Sequence, residues 1–164
     1  MKRVLFLLCA LLMLAALPIL AEEALEEVTY EVTYEGVEVQ FWMSDWMMWV
    51  PAEWPVEAAD GMSQISVGDK FSMYIECSLS DRSVDEVYAS LSRGANFKED
   101  FITYKTINGF RVMIYRDEWY FFDLGDGTIA DCRISLVKPF LKDYEGTREM
   151  VMQMISSLHL PAEE

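Results

Sequence analysis

The sequence contains a single histidine and none of the common catalytic fingerprints. His159 stands two residues before Pro161, so any Ser-His-Asp or Cys-His mechanism has to recruit it. A histidine behind a helix more commonly meets the negative end of the helix dipole. There is no HExxH, GxSxG, phosphate-binding loop or dinucleotide fingerprint. These absences predict a protein with no catalytic residue and no cofactor.

Basic residues are also scarce. The chain has 13 Lys and Arg against 28 Asp and Glu, a net charge of −15. A field of that sign repels phosphate backbones and anionic lipid headgroups. The sequence therefore excludes nucleic acid as a partner and leaves three classes open: an unknown protein, a wall polymer, or a cationic ligand.

The first 21 residues have the layout of a secretory signal peptide. Lys2 and Arg3 precede an uncharged, Leu-rich run that ends at Ala21, the predicted cleavage point. Residues 22–164 then form one α+β domain, exported to the cell envelope or the extracellular space. Its 11 basic and 28 acidic residues give a net charge near −17. The alternative is a retained membrane anchor, although Pro18 and the run's modest length favour cleavage.

Three cysteines are present, and Cys9 belongs to the segment predicted to be removed. Cys77 and Cys132 both fall on the apolar face of a predicted strand. Export to an oxidising compartment favours a disulfide between them. Buried cysteine is also an ordinary small core residue, so a bridge and two free thiols both stay open.

Apolar and polar residues alternate through most of the chain after residue 27, which predicts strands. An opening hairpin is expected at 28–43 and a further strand at 46–50. A loop is expected at 51–62, then strands at 65–67 and 71–79. A helix begins at the capping box Ser83–Glu86. Predicted strands at 101–107 and 110–115 flank Asn108-Gly109, a strong hairpin signal. Strands at 119–123 and 128–137 and a helix over 143–158 complete the pattern. It indicates an α+β fold: a mainly antiparallel twisted sheet of about six or seven strands, flanked by two helices.

Over most of residues 37–160, the order of elements and the small turns resemble a known superfamily. A strand ending in Trp49-Val50-Pro51 and followed by Trp54 resembles the opening of PsbP-like domains. The Ile107-Asn108-Gly109 turn and a final helix ending in Ile155-Ser156-Ser157-Leu158 continue the likeness. The resemblance implies the α/β/α sandwich shared by PsbP and Mog proteins. Because that superfamily has no common active site, it also implies a non-enzymatic binding or assembly role.

Four of the five tryptophans fall between residues 42 and 54. Core packing explains them, because large aromatic side chains supply much of a small domain's burial. The functional hypothesis is an exposed aromatic platform beside acidic residues, suited to a sugar ring or a cationic ligand. The predicted ligand-binding residues are Trp42, Trp46, Trp49, Trp54, Asp45 and Glu53.

Two alternatives rest on carboxylates. An acid/base hydrolase needs two of them in a cleft, but the adjacent pairs Asp117-Glu118 and Glu99-Asp100 are typical of solvated turns. Asp123, Asp126 and Asp131 supply oxygen ligands for a weak Ca²⁺ site, but their spacing does not match an EF-hand loop and a surface turn explains them better. Met150 and Met154 share a helix face and are interpreted as core rather than as copper ligands.

Overall fold

Backbone hydrogen bonds join eight of the described strands into one sheet. The structure is a computed structural model, and it describes residues 24–40, 44–59, 62–67, 73–125 and 127–161. The strands are β1 Glu26–Val28, β2 Gly36–Gln40, β3 Met47–Pro51, β4 Val56–Ala59, β5 Met62–Ser66, β6 Tyr74–Ser80, β7 Ile102–Ile107, β8 Phe110–Tyr115, β9 Trp119–Asp123 and β10 Ile129–Ser135. The helices are α1 Val84–Leu91 and α2 Tyr144–Ile155.

The sheet is antiparallel except at one edge. Its order is β1-β7-β8-β9-β10-β6-β5-β4, and β2 and β3 form a separate antiparallel pair. β1 runs parallel to β7, with Val28 opposite Ile107. The predicted α+β class with a mainly antiparallel sheet and two helices is confirmed. The predicted count of six or seven strands is wrong, since β1 and β4 extend the sheet to eight.

The expected opening hairpin at 28–43 does not form. Residues 29–35 are not part of a strand, and β2 pairs with β3 instead of with the segment before it. Side chains of other elements accept hydrogen bonds from backbone N–H groups of residues 29–35. The Tyr30 N–H donates to Asn108 Oδ1 at 2.8 Å, and the Thr33 N–H donates to Gln153 Oε1 at 3.0 Å. The segment predicted as a loop, 51–62, also differs, because β4 forms within it and pairs with β5.

Local signals placed α1 and the β7–β8 hairpin correctly. Ser83 and Glu86 cap α1 reciprocally, as the capping box requires. The turn residues Asn108 and Gly109 have φ of 47° and 86°, the left-handed values that favour Asn-Gly in a two-residue hairpin.

The core has two layers, one on each face of the sheet. On one face, Met154 and Ile155 of α2 pack with Met48 and Val50 of β3 against the sheet residues that include Cys77 and Cys132. On the other face, α1 buries Val84 and Val87 against Met113, Phe121 and Ile129. Met154 is fully buried and Met150 packs at the edge of the same cluster, so the core interpretation of these methionines is confirmed.

The predicted signal segment, residues 1–21, lies outside the described residues, as do Cys9 and Trp42. Within the described ranges, neither helix has the length and apolar character needed to span a bilayer.

Candidate functional site

The three described tryptophans of the predicted site lie in different environments. Trp46 is half-buried, and its ring meets the edge of Phe110 at a centroid distance of 5.9 Å. Trp54 is 6% exposed, because a tight turn in which its N–H donates to Pro51 O at 2.9 Å directs it into the core. Trp49 is 38% exposed. One ring of the three therefore faces solvent, and they do not form a continuous aromatic surface.

The two predicted acidic residues are exposed, and one of them borders a cavity. The cavity has a volume of about 440 Å³, and we call it the Tyr34 cavity. It is lined by Tyr34, Glu35, Pro51, Ala52, Glu53 and Met150. Glu53 thus lies in a concave site, whereas Asp45 lies elsewhere.

Backbone contacts hold the two walls of the Tyr34 cavity together. The Ala52 N–H donates to Glu35 O at 3.1 Å, and Gly36 faces Pro51 in the β2–β3 register. The hydroxyl of Tyr34 donates to the carbonyl oxygen of Trp49 at 2.7 Å. Burial raises the pKa of Tyr34, so this hydroxyl stays a neutral donor over the physiological range.

Gly36 allows the Tyr34 ring its position. A Cβ at residue 36 would meet Val50 O at 2.9 Å and Tyr34 Cε2 at 3.0 Å. Real Cβ atoms do not approach a backbone oxygen that closely, so a larger residue must displace either β3 or the ring. The absence of a side chain at Gly36 therefore sets the shape of the cavity wall.

The electrostatic environment of the Tyr34 cavity is entirely acidic. Its charged lining residues are Glu35 and Glu53. Both belong to a long stretch, residues 4–69, that contains twelve Asp and Glu and no Lys or Arg. The molecule's negative charge is therefore concentrated on the segment that builds this cavity, and a low-dielectric wall beside like charges strengthens the field there.

Sequence reasoning identified Glu53 but missed the other lining residues. Glu35 was not among the predicted site residues, and Met150 was interpreted as core. What brings them to Glu53 is the pairing of β2 with β3 and the packing of α2 against β3. The lack of basic residues between Arg3 and Lys70 was the one sequence signal that could have directed attention to this region.

Cys77 and Cys132 face each other directly across β6 and β10. Both are fully buried and unbridged in this structure. A hydrogen bond with Cys77, together with burial, raises the pKa of the Cys132 thiol. A thiol count on denatured, unreduced protein distinguishes the two predicted states, because a bridge leaves no reactive thiol at these positions.

The carboxylates of the Ca²⁺ alternative are engaged within the protein where they are described. Asp123 Oδ1 accepts from the Gly125 N–H at 3.0 Å. Asp131 accepts from the indole N–H of Trp119, and burial raises its pKa. Asp126 lies outside the described residues. In the part of the chain that is described, no three His, Cys, Asp or Glu side chains are grouped as metal ligands.

Of the carboxylate pairs considered for hydrolysis, Asp117-Glu118 lies on the turn between β8 and β9, and Glu99-Asp100 lies in a short 3-10 helix. Glu99, Asp100 and Glu118 are exposed. Asp117 is tied to Arg148 by an ion pair of 2.7 Å. His159 contacts other residues. Its Nε2 lies 3.0 Å from Glu38 Oε1, and its backbone pairs with Met47, which anchors the chain after α2 to β3.

Comparison with known proteins adds no relative. No protein-family model matches the chain, and no curated protein matches it. The function must therefore be argued from the geometry of the sites themselves.

Proposed function

We propose that the protein is an exported, non-catalytic binding protein that takes cationic ligands or cationic groups of a partner at the Tyr34 cavity. One observation carries the proposal: the charges lining the cavity, Glu35 and Glu53, are both negative and lie beside an aromatic ring. They belong to residues 4–69, a stretch of 66 residues that contains no Lys or Arg.

The chemistry of the lining suits an ammonium group on an apolar stem. Glu35 and Glu53 supply the counter-charges, and the face of Tyr34 attracts a cation electrostatically. Pro51 and Met150 offer apolar contact to the stem. The surrounding negative field raises the local concentration of cations and speeds their association. Polyamines, lysine-rich peptides and amine-bearing wall polymers all present this combination.

Binding is favoured over hydrolysis by the environment of the two carboxylates. Acid/base hydrolysis uses two carboxylates held in unlike environments. Glu35 and Glu53 are both exposed, so their environments do not assign one the role of acid and the other that of base. An aromatic, acidic cavity of this kind supports recognition of a charge.

Export and the PsbP-like sandwich belong to the same proposal. Lys2, Arg3 and the uncharged run to Ala21 support export. The sandwich is supported by a sheet with α2 on one face and α1 on the other, and by β3 ending at Pro51 with Trp54 buried behind it. N-terminal sequencing of protein recovered outside the cytoplasm tests export, since cleavage at the predicted point gives a chain that starts at Glu22.

Titration calorimetry with spermidine and with a lysine-rich peptide tests the binding proposal. The variant Glu35→Gln/Glu53→Gln removes both counter-charges and keeps side-chain size. Exposed ion pairs contribute about 0.2–1 kcal/mol each, so we expect the affinity for spermidine to fall by about tenfold. Binding to the wild type should also weaken with added salt.

A matched control separates site binding from the general field. Asp81→Asn/Glu99→Gln removes the same net charge from exposed positions outside the cavity. We expect less than a twofold change in its spermidine affinity. Equal losses in both double variants would mean that cations condense on an acidic surface without a site, and the proposal would fail.

A further inference from the structure

A second cavity, which the proposed function does not use, lies where α2 crosses the sheet. It has a volume of about 320 Å³, and we call it the Arg148 cavity. It is walled by α2, by the end of β1 with Tyr30, and by β7, β8 and β9. Its charged lining residues are Lys105, Asp117, Glu145, Arg148 and Glu149. Unlike the Tyr34 cavity, it contains charges of both signs.

Arg148 is held at this cavity through one of its nitrogens. Its Nη2 contacts Asp117 Oδ1 at 2.7 Å, Asp117 O at 3.0 Å and the Tyr120 hydroxyl at 2.9 Å. Among the described residues, Nη1 and Nε have no hydrogen-bond partner, so three N–H donors of the guanidinium remain. The side chain is 19% exposed. The guanidinium is therefore fixed in place with donors left for a carboxylate.

Glu149 and Tyr30 supply the complementary groups. Glu149 Oε1 accepts one long hydrogen bond, 3.4 Å, from Gln153 Nε2, which leaves most of its acceptor capacity unused. The Tyr30 hydroxyl has no hydrogen-bond partner within the described ranges. Glu149, Lys105, Arg148 and Asp117 line the same cavity as Tyr30, so Tyr30 lies among two cations and two anions.

The remaining charges of the Arg148 cavity are paired internally. Lys105 Nζ lies 3.0 Å from Glu26 Oε2, and Lys138 Nζ lies 3.0 Å from Glu145 Oε1. Glu149 forms no ion pair with a described residue and Arg148 keeps three N–H donors, so these two groups have the largest unused capacity for a ligand. They are consecutive on α2, one positive and one negative.

We propose that the Arg148 cavity binds a small zwitterion of the α-amino acid class, with its carboxylate on Arg148 and its ammonium group on Glu149. Tyr30 hydrogen bonds to the ligand between the two charges. A simple anion meets the repulsion of a chain with net charge −15. A simple cation leaves the donors of Arg148 unused. A ligand that is neutral overall but carries both charges satisfies both groups without that repulsion.

Calorimetry of the intact chain with the standard α-amino acids tests this site. We expect at least one small amino acid to bind with a Kd of about 1 mM or tighter. Acetate and methylamine, which carry one charge each, should bind at least about tenfold more weakly. Glu149→Gln is isosteric and should reduce the amino-acid affinity about tenfold, and Tyr30→Phe should reduce it severalfold.

Glu99→Gln is the matched control, because it is the same isosteric change at an exposed residue outside the cavity. We expect it to change the affinity less than twofold. Glu35→Gln/Glu53→Gln should leave amino-acid binding intact, which keeps failure here distinct from failure at the Tyr34 cavity. The proposal is overturned if no amino acid binds, if acetate or methylamine binds as well, or if Glu149→Gln binds like the wild type.

Discussion

Replacing Asn108 with glycine tests how the N-terminal segment is held to the rest of the fold. The Asn108 side chain makes three hydrogen bonds to backbone groups of distant segments. Its Oδ1 accepts from the Tyr30 N–H at 2.8 Å. Its Nδ2 donates to Tyr30 O and to Ser156 O, each at 2.9 Å. One side chain in a hairpin turn therefore joins the segment after β1 to the end of α2.

Glycine keeps the turn and removes all three bonds. A typical hydrogen bond contributes about 1 kcal/mol net, so the loss is about 3 kcal/mol. Glycine relieves a small part of this, because residue 108 has a φ of 47° and asparagine already tolerates the left-handed region. We expect the free energy of unfolding to fall by about 2–3 kcal/mol. In a protein of this size that corresponds to a decrease in Tm of roughly 5–10 °C.

Urea unfolding followed by tryptophan fluorescence measures the change. The midpoint should shift while the slope stays constant, and the Tyr30 amide should lose protection from hydrogen exchange. Arg116→Gly is the control, since Arg116 occupies the matching turn between β8 and β9 with a φ of 57°. Its side chain makes one long backbone contact, 3.5 Å to Asn96 O, and its guanidinium lies over the rings of Phe101 and Tyr115 at 4.9 and 5.1 Å. The strain relieved by glycine offsets part of the loss of these contacts. We expect that control to stay within about 1 kcal/mol of the wild type. A loss below about 0.5 kcal/mol for Asn108→Gly would refute the assignment of Asn108 as the link.

Three further predictions concern other positions. Gly36→Ala forces a methyl group against Val50 O and the Tyr34 ring. We expect the free energy of unfolding, measured with urea, to fall by about 1–3 kcal/mol from overpacking, and spermidine to bind more weakly. Unchanged stability and binding would contradict the tight fit at Gly36. Burial raises the pKa of Tyr34 and Tyr120 above the ordinary value of 10.0. The stability that depends on their neutral hydroxyls is therefore complete below pH 10 and falls as the pH rises above it. Tyr34→Phe should lose less stability at alkaline pH than the wild type, as measured by thermal melts from pH 8 to 11. Burial also raises the pKa of Asp131, so the ionised form of Asp131 opposes folding above that pKa. Asp131→Asn keeps an acceptor for Trp119 and should melt at a higher temperature than the wild type at pH 7 but not at pH 3. A lower Tm of the variant at pH 7 would show that the contact with Trp119 outweighs the cost of desolvation.

The parts of the fold that were predicted correctly depend on local chemistry. The bounds of β8 and β9 follow from two nearly continuous apolar runs set between short turns. The start of α1 follows from Ser83 and Glu86, three residues apart, and the β7–β8 hairpin from Asn108-Gly109. In each case the residues that determine the local structure are neighbours in the sequence, so a short stretch of sequence is enough to predict it.

The parts that were predicted wrongly depend on distant partners. Alternation at 28–34 resembles a strand, but its backbone groups bond to side chains 78 and 120 residues away. The candidate sites show the same limit. Glu53 was singled out because it stands near tryptophans, yet the residues that share its cavity come from β2 and α2. Arg148 and Glu149 were not predicted from the sequence, because adjacent opposite charges on a helix are common. Asp117 and Tyr30, which line the cavity with them, lie elsewhere in the chain.

The parallel pairing of β1 with β7 has a consequence for the order of folding. β1 is the first described strand to be synthesised, yet its partner is more than seventy residues further along the chain. Contacts of that sequence separation form late, because the entropy of closing a long loop is lost before the pairing is gained. Until β1 docks, β7 is an unpaired sheet edge, open to strands from other molecules. We therefore expect β1 to dock late in folding, and its docking both covers the edge of β7 and completes the wall of the Arg148 cavity.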